Sequence, residues 1–310
     1  MDVLVAALGL GLFFGGLWLL RRALSGLFAA HLTTRLQAQQ GRPAVTLAMG
    51  IGAGALLQSS STVSVIGMSL LNLRLLSLRN AITLLLGANV GGSLTVEVLT
   101  ATPAAMSWAL CTLGLTGLVA LPQQWKLSGF ALLGLGLSVA GVDQVGTAML
   151  PIISGAFLSN ALHASTLWSS FGIGVMAGAL LQSASAATSL LMAPLISGHL
   201  SFSQTIAIVA GANLGSCLPA ILAGASGNEK DRAVALAQVL INLLGVLVIL
   251  PLAQPLGKWL EAASIPDPHA LTVIQLLVNT AAAITAFPVV GPLARLVEAI
   301  AKRQAPPAAR

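Results

Sequence analysis

Charge is what this chain is shortest of: 7% of its 310 residues are charged and 56% are hydrophobic, with a mean hydropathy of +0.94. A soluble domain carries about 25% charge, so the scarcity excludes a fold solvated by water and points to lipid. Cysteine is scarce as well. Cys111 and Cys217 offer neither a disulfide framework nor metal-ligand spacing. Aromatic residues are only 4%, and no aromatic-basic pattern accompanies the formal charge of +6 and the pI near 10.4. Nucleic acid is therefore excluded as a partner, and the basic excess reads as membrane topology.

What the chain has instead is apolar runs approaching the ~20 residues that cross a bilayer. The first, Val3 to Leu20, has no positive n-region before it and no persuasive cleavage site after it, so it reads as a retained transmembrane helix. From Arg21 to Arg42, leucines at helical spacing alternate with arginines, which predicts an amphipathic helix lying in the interface. Next, residues 44–57 and 63–73 are apolar arms around a polar tip, Gln58-Ser-Ser-Ser-Thr62. Arms of about 13 residues rise only ~20 Å against a core of ~30 Å, so they either join into one span with a polar middle or fold as a re-entrant hairpin. Arg42 and Arg74, which flank the pair and belong on one side by the charge pattern, favour the hairpin. Residues 80–100 read as a helix broken at mid-span by Gly87-Ala-Asn89-Val-Gly91, and spanning helices follow at 104–122 and 129–149. The plan then repeats, with a hairpin at 168–198, a broken helix at 204–225 and a helix at 233–252. A closing helix at 271–292 and a disordered tail from Arg303 complete it.

The repetition is literal. Gly54-Ala-Leu-Leu-Gln58-Ser-Ser-Ser61 returns as Gly178-Ala-Leu-Leu-Gln182-Ser-Ala-Ser185, and Gly87-Ala-Asn-Val-Gly91 returns as Gly211-Ala-Asn-Leu-Gly215, both at an offset of 124 residues. With the N-terminus outside and each hairpin returning to its own side, thirteen of the fourteen Lys and Arg residues fall inside and only Lys258 falls outside. Three crossings then separate the hairpins, so the two repeats are inverted, as in many secondary transporters. The expected divisions are residues 1–124 and 125–254 for the two repeats and 255–310 for the closing helix and a cytoplasmic tail. The fold class is an all-α polytopic membrane protein.

Two inverted hairpins bring their tips together at the midplane. Second-arm N-termini and serine hydroxyls there make an anion cradle, while first-arm carbonyls and amide oxygens suit a small cation. Such Ser, Thr and Asn residues can also simply glue helices together, but two matched tips, each followed by a matched glycine-rich segment, favour a binding site. No Arg or Lys falls at mid-membrane in this scheme, so accompanying cations are expected to balance an anion. Glu97 and Asp143 are the acids inside predicted spans, both toward the outer end, and the hairpins hold no titratable group for a proton relay. Sodium is thus favoured over protons. His163 and His199 fall in outer loops with no role assigned. With no His or Lys beside Gln58-Ser-Ser-Ser61, serine catalysis lacks its base, and the chain reads as a non-enzyme.

Paired Gln-Ser-Ser-Ser tips, each followed by Gly-Ala-Asn-(Val/Leu)-Gly, resemble the type II sodium/phosphate cotransporter family, in the form of a bacterial member without a C-terminal regulatory domain. Arg232 through Asn242 to Gly245, and Val278-Asn279-Thr280 through Phe287-Pro288, are similar to later helices of that family. The resemblance implies sodium-coupled phosphate transport by alternating access in the inner (plasma) membrane. Substrate contacts are then expected at Gln58, Ser59, Ser60, Ser61, Gln182, Ser183 and Ser185. Sodium contacts are expected at Thr62, Asn89, Ser93, Thr188, Asn213 and Ser216. Phosphate, Na+ and the lipid bilayer are the partners, a homodimer is left open, and no cofactor is expected beyond the coupling ion. Ala184 in place of a serine, and Ser216-Cys217 after the second Gly-Ala-Asn, depart from the family pattern. Transport of another oxyanion or a carboxylate, a channel, or a non-transporting sensor are the alternatives.

Overall fold

The computed structural model describes residues 2–38, 42–58, 60–153, 165–265 and 267–303. Among them every regular element is a helix, as lipid demands of a chain that must pair its own backbone groups. Six helical stretches are long and apolar enough to cross a membrane: Leu4–Phe28, Leu78–Leu99, Gln123–Ala148, Phe202–Ser226, Glu229–Ile249 and His269–Ala286. The protein is therefore all-α and membrane-embedded. His163 and the tail beyond Arg303 lie outside the described residues.

Helix α1 (Asp2–Ala38) is one continuous element, which corrects the expected division into a span and a separate interfacial helix at Arg21. No proline interrupts residues 21–38, and a charged pair does not end a helix when its head groups find polar surroundings. Hairpin arms α2 (Pro43–Leu57) and α3 (Ser60–Asn72) follow, then α4 (Leu78–Gly92) and α5 (Leu94–Ala101). Ser77 caps α4 by accepting from the Asn80 N–H at 3.2 Å. Helix α6 (Ser107–Ala120) and its leading turn form an apolar run of 17 residues, Ala104–Ala120, and fall in the shorter class. That run rises about 25 Å, the lower limit for a crossing.

Helix α7 (Lys126–Ile153) packs closely along α1. A Cβ at Gly141 would stand 2.3 Å from the Phe13 nitrogen, and one at Gly16 would stand 2.5 Å from the Ser138 nitrogen. The second hairpin has a continuous first arm, α8 (Leu167–Leu181), and a second arm split into α9 (Ala184–Ser189) and α10 (Met192–Ile196). Pro194 accounts for the split, because its ring clashes with the carbonyl four residues earlier, at Leu190. Helices α11 (Phe202–Gly215), α12 (Leu218–Ser226) and α13 (Glu229–Ile249) follow, with capping boxes at Ser201/Gln204 and Asn228/Asp231.

Three more helices close the chain: α14 (Ala253–Ala262), α15 (Asp267–Ala286) and α16 (Val290–Arg303). The sequence reading anticipated only the middle one. Helix α16 buries Val290, Leu293, Ala294, Val297 and Ala301 on one face, a surface-helix pattern rather than a span. On its other face Lys302 donates to Glu298 at 2.8 Å, and this bond raises the pKa of the exposed lysine.

The Gly-Ala-Asn segments also differ from expectation. Helix α4 runs through Gly87-Ala-Asn89-Val-Gly91 without a break, and the interruption comes at Ser93, which itself keeps right-handed helical angles. In the second copy it comes at Ser216-Cys217. The glycines serve contact instead. A Cβ at Gly50, Gly54, Gly87 or Gly91 would lie 1.9–2.4 Å from a backbone oxygen of the facing helix. Gly174, Gly178, Gly211 and Gly215, each 124 residues on, are equally tight at 2.0–2.2 Å. The first arm of each hairpin thus lies backbone to backbone on its Gly-Ala-Asn helix.

Candidate functional site

Both hairpin arms turn on a glutamine. Gln58 has φ 49° and ψ 30°, and Gln182 has φ 52° and ψ 25°, left-handed angles that cost an L-residue about 1–2 kcal/mol. A glycine would adopt them without penalty, so keeping glutamine twice points to a use for the amide. The two tips meet at a polar cavity of about 30 Å³, whose lining includes Gln58, Ser60, Gln182, Ser183, Ser185 and Ala184. Asn89 and Gly92 line it from α4, Asn213 from α11, and Ser216 from the turn that follows α11. The departure at Ala184 leaves that stretch of wall without a hydroxyl.

Two pairs of side chains fasten this arrangement. On α13, Gln238 accepts from Ser64 at 2.9 Å, while Asn242 accepts from Asn89 at 3.3 Å and donates to Cys217 at 2.9 Å. On α15, Gln275 accepts from Thr188 at 2.8 Å, and Asn279 donates to Ser93 at 3.0 Å. Ser64 and Thr188, and Ser93 and Cys217, are equivalent under the 124-residue offset. Each Gln-x-x-x-Asn pair therefore holds one hairpin and the interrupted helix of the opposite repeat. All four bracket residues are nearly fully buried. Gln275 and Asn279 also line the cavity, and sequence reasoning did not nominate either for the site.

Eight of the thirteen nominated residues line the cavity: Gln58, Ser60, Asn89, Gln182, Ser183, Ser185, Asn213 and Ser216. Ser93 and Thr188 are buried one step behind it, occupied by the α15 bracket. Thr62 faces a neighbouring cleft. Ser59 and the Ser61 side chain lie outside the described residues. Away from this site, Glu97 pairs with His269 at 3.1 Å on a solvent-accessible face, and His199 bonds Ser197 at 2.8 Å.

One expectation is overturned. A cation does reach the cavity between the tips: Arg21 lines it and its Nη2 donates to the Ser183 hydroxyl at 2.8 Å. Charge counting had put it at the interface, because the arginine pair follows Leu19-Leu20 directly. Continuity of α1 instead leaves it seven residues short of Phe28, where the apolar stretch ends. That is about 10 Å along the helix axis.

Short-armed hairpins meeting at a polar cavity define the class: a polytopic helical membrane protein with a polar cavity between its hairpin tips. The chain belongs to the Na+/Pi-cotransporter family, whose model matches it twice, over residues 12–147 and 141–265. Among similar proteins is one from Bacillus subtilis named "Uncharacterized protein YqeW". It is 29% identical over 272 residues, covering 86% of this chain and 88% of that one. Proteins named "Putative inorganic phosphate export protein YjbB" are 31% identical in Salmonella typhimurium and 30% identical in Escherichia coli, each over 81% of this chain. This chain spans about half of their length, 47%. No solved structure matches it.

Proposed function

We propose that this protein carries inorganic phosphate across the inner membrane together with sodium, by alternating access around the cavity between its hairpin tips. Support comes from the family, from the printed names of the export relatives, and above all from the lining itself. Hydroxyls, amides and one guanidinium surround the space, and no carboxylate does among the described residues, so nothing in that lining repels an oxyanion. Ser60 begins α3, so the N-terminal end of a 13-residue helix, the end whose dipole favours an anion, borders the cavity. Two enclosed amide oxygens, Gln58 Oε1 and Asn279 Oδ1, have no hydrogen-bond partner among the described residues. Leaving such an acceptor unmet costs about 1–3 kcal/mol, and a small hard cation removes that cost. We therefore place sodium among Gln58, Asn89, Asn213, Ser216 and Asn279, with Ser93 and Thr188 positioning the bracket. Thr62 remains a contact candidate from the cleft side.

Alternating access further rests on reading the repeats as inverted, with the N-terminus outside and the C-terminus in the cytoplasm. The division at residues 124 and 254 follows the same reading. Phosphate flux into and out of proteoliposomes, with and without a sodium gradient, is the test. We expect flux that follows sodium, saturates with phosphate and shows counterflow. Flux that ignores sodium and follows a pH gradient sinks the coupling, and non-saturating flux indicates a channel.

A further inference from the structure

Arg21 belongs to neither the Gln-Ser tips nor the Gly-Ala-Asn helices, and among the described residues it is the one charged side chain lining the cavity. We propose that Arg21 is the cation that grips the transported anion, and that in the empty protein it closes the wall between the cavity and the route leading to it. The inference rests on the oxyanion reading above and adds the residue that determines charge selectivity and the side of approach.

The first argument is electrostatic. A guanidinium has five N–H donors; among the described residues Arg21 uses one, on Ser183, and its enclosed Nε has no partner. Among the described residues, no acid lines the cavity or the cleft beside it. A cation held in the membrane without a counter-charge is strongly disfavoured, so the site is complete only with an anion present. The planar fork also suits two oxygens of one tetrahedral anion.

The second argument is geometric. A larger cleft of about 520 Å³ abuts the cavity, and Arg21 and Ser183 line both spaces. Their 2.8 Å bond is thus part of the partition. Arg22 and Ser25 stand farther along α1 in the cleft wall, and the Arg22 guanidinium lies 5.6 Å from the centre of the Trp18 ring. This second positive charge draws anions into the cleft. Ser183 Oγ already accepts from Arg21 and from the Ala186 N–H at 3.2 Å, and its own proton has no acceptor among the described residues. An arriving anion takes that proton as a hydrogen bond and draws the guanidinium off the hydroxyl, which opens the partition as it fills the site.

The test compares Arg21→Gln, Arg21→Lys and Arg22→Gln in proteoliposomes, using phosphate, sulfate and arsenate as probes. Sodium binding without phosphate is followed separately, by sodium-dependent thermal stabilisation. Arg21→Gln is expected to weaken phosphate about 100-fold or more while sodium stabilisation persists. Arg21→Lys should restore part of the loss, and Arg22→Gln should slow uptake mainly at low ionic strength. In the otherwise native protein, Ser25→Cys should react faster with an anionic than a cationic thiol reagent, and the label should block flux. Phosphate affinity within twofold of wild type in a folded Arg21→Gln protein overturns the proposal, as does a Ser25→Cys label that leaves flux intact. If Arg21→Gln fails to fold, the Ser25→Cys result decides. If wild type carries sulfate but not phosphate, and Arg21→Gln abolishes it, Arg21 keeps its role and the phosphate reading fails. Absence of any oxyanion flux overturns both.

Discussion

Gln58 and Gln182 concentrate the argument at the scale of single residues. Their left-handed backbone makes two substitutions behave in opposite ways. Gln58→Gly removes the amide but fits the angles, whereas Gln58→Ala removes the amide and keeps the strain. The glycine variant should therefore be more stable than the alanine variant by about 1 kcal/mol, although both lose phosphate transport. Thermal unfolding paired with flux reads the two effects separately, and equal stability would count against the strain. The bracket residues obey another rule. Gln275→Leu leaves the Thr188 hydroxyl buried without its acceptor, a loss of about 1–3 kcal/mol measurable as a lower unfolding midpoint.

Elements are governed by how closely their backbones approach. Gly91→Ala would drive a methyl to 1.9 Å from the Ile51 carbonyl, whereas a Cβ at Gly52, one residue further on, meets nothing within 4 Å. We expect Gly91→Ala to cost about 3 kcal/mol or to prevent folding, and Gly52→Ala to be neutral or slightly stabilising. Comparing their yields and melting temperatures checks the contact. Much of the element plan was legible, because short apolar arms around a polar tip and a literal repeat are local signals. The glycines misled for a physical reason: in sequence, a glycine that admits a neighbouring helix looks the same as one that breaks its own. Arg21 was hidden similarly, since adjacency to Leu19-Leu20 does not say where along a 37-residue helix the membrane ends. Gln275 and Asn279 did carry a signal, namely amides four residues apart within an apolar helix, matching Gln238 and Asn242. Helices α14 and α16 carry no apolar run long enough to read as spans, because each is short and apolar on one face only.

For the molecule as a whole, the proposal that the repeats are inverted predicts opposite sidedness for the two hairpin bases. Leu73→Cys and Ser169→Cys, both at exposed positions, should label with a membrane-impermeant thiol reagent from opposite faces of the membrane. Labelling from one face would make the repeats parallel and remove the basis for alternating access. The bracket pattern has a further consequence, for biosynthesis. Ser64 waits for Gln238, which lies 174 residues later in the chain, and Ser93 waits 186 residues for Asn279. A nascent chain that has just completed α13 therefore holds both hairpins, but only the first has its Gln-x-x-x-Asn partner. The second hairpin gains its bracket only once α15 has been made, so the wall of the cavity is completed late relative to both tips.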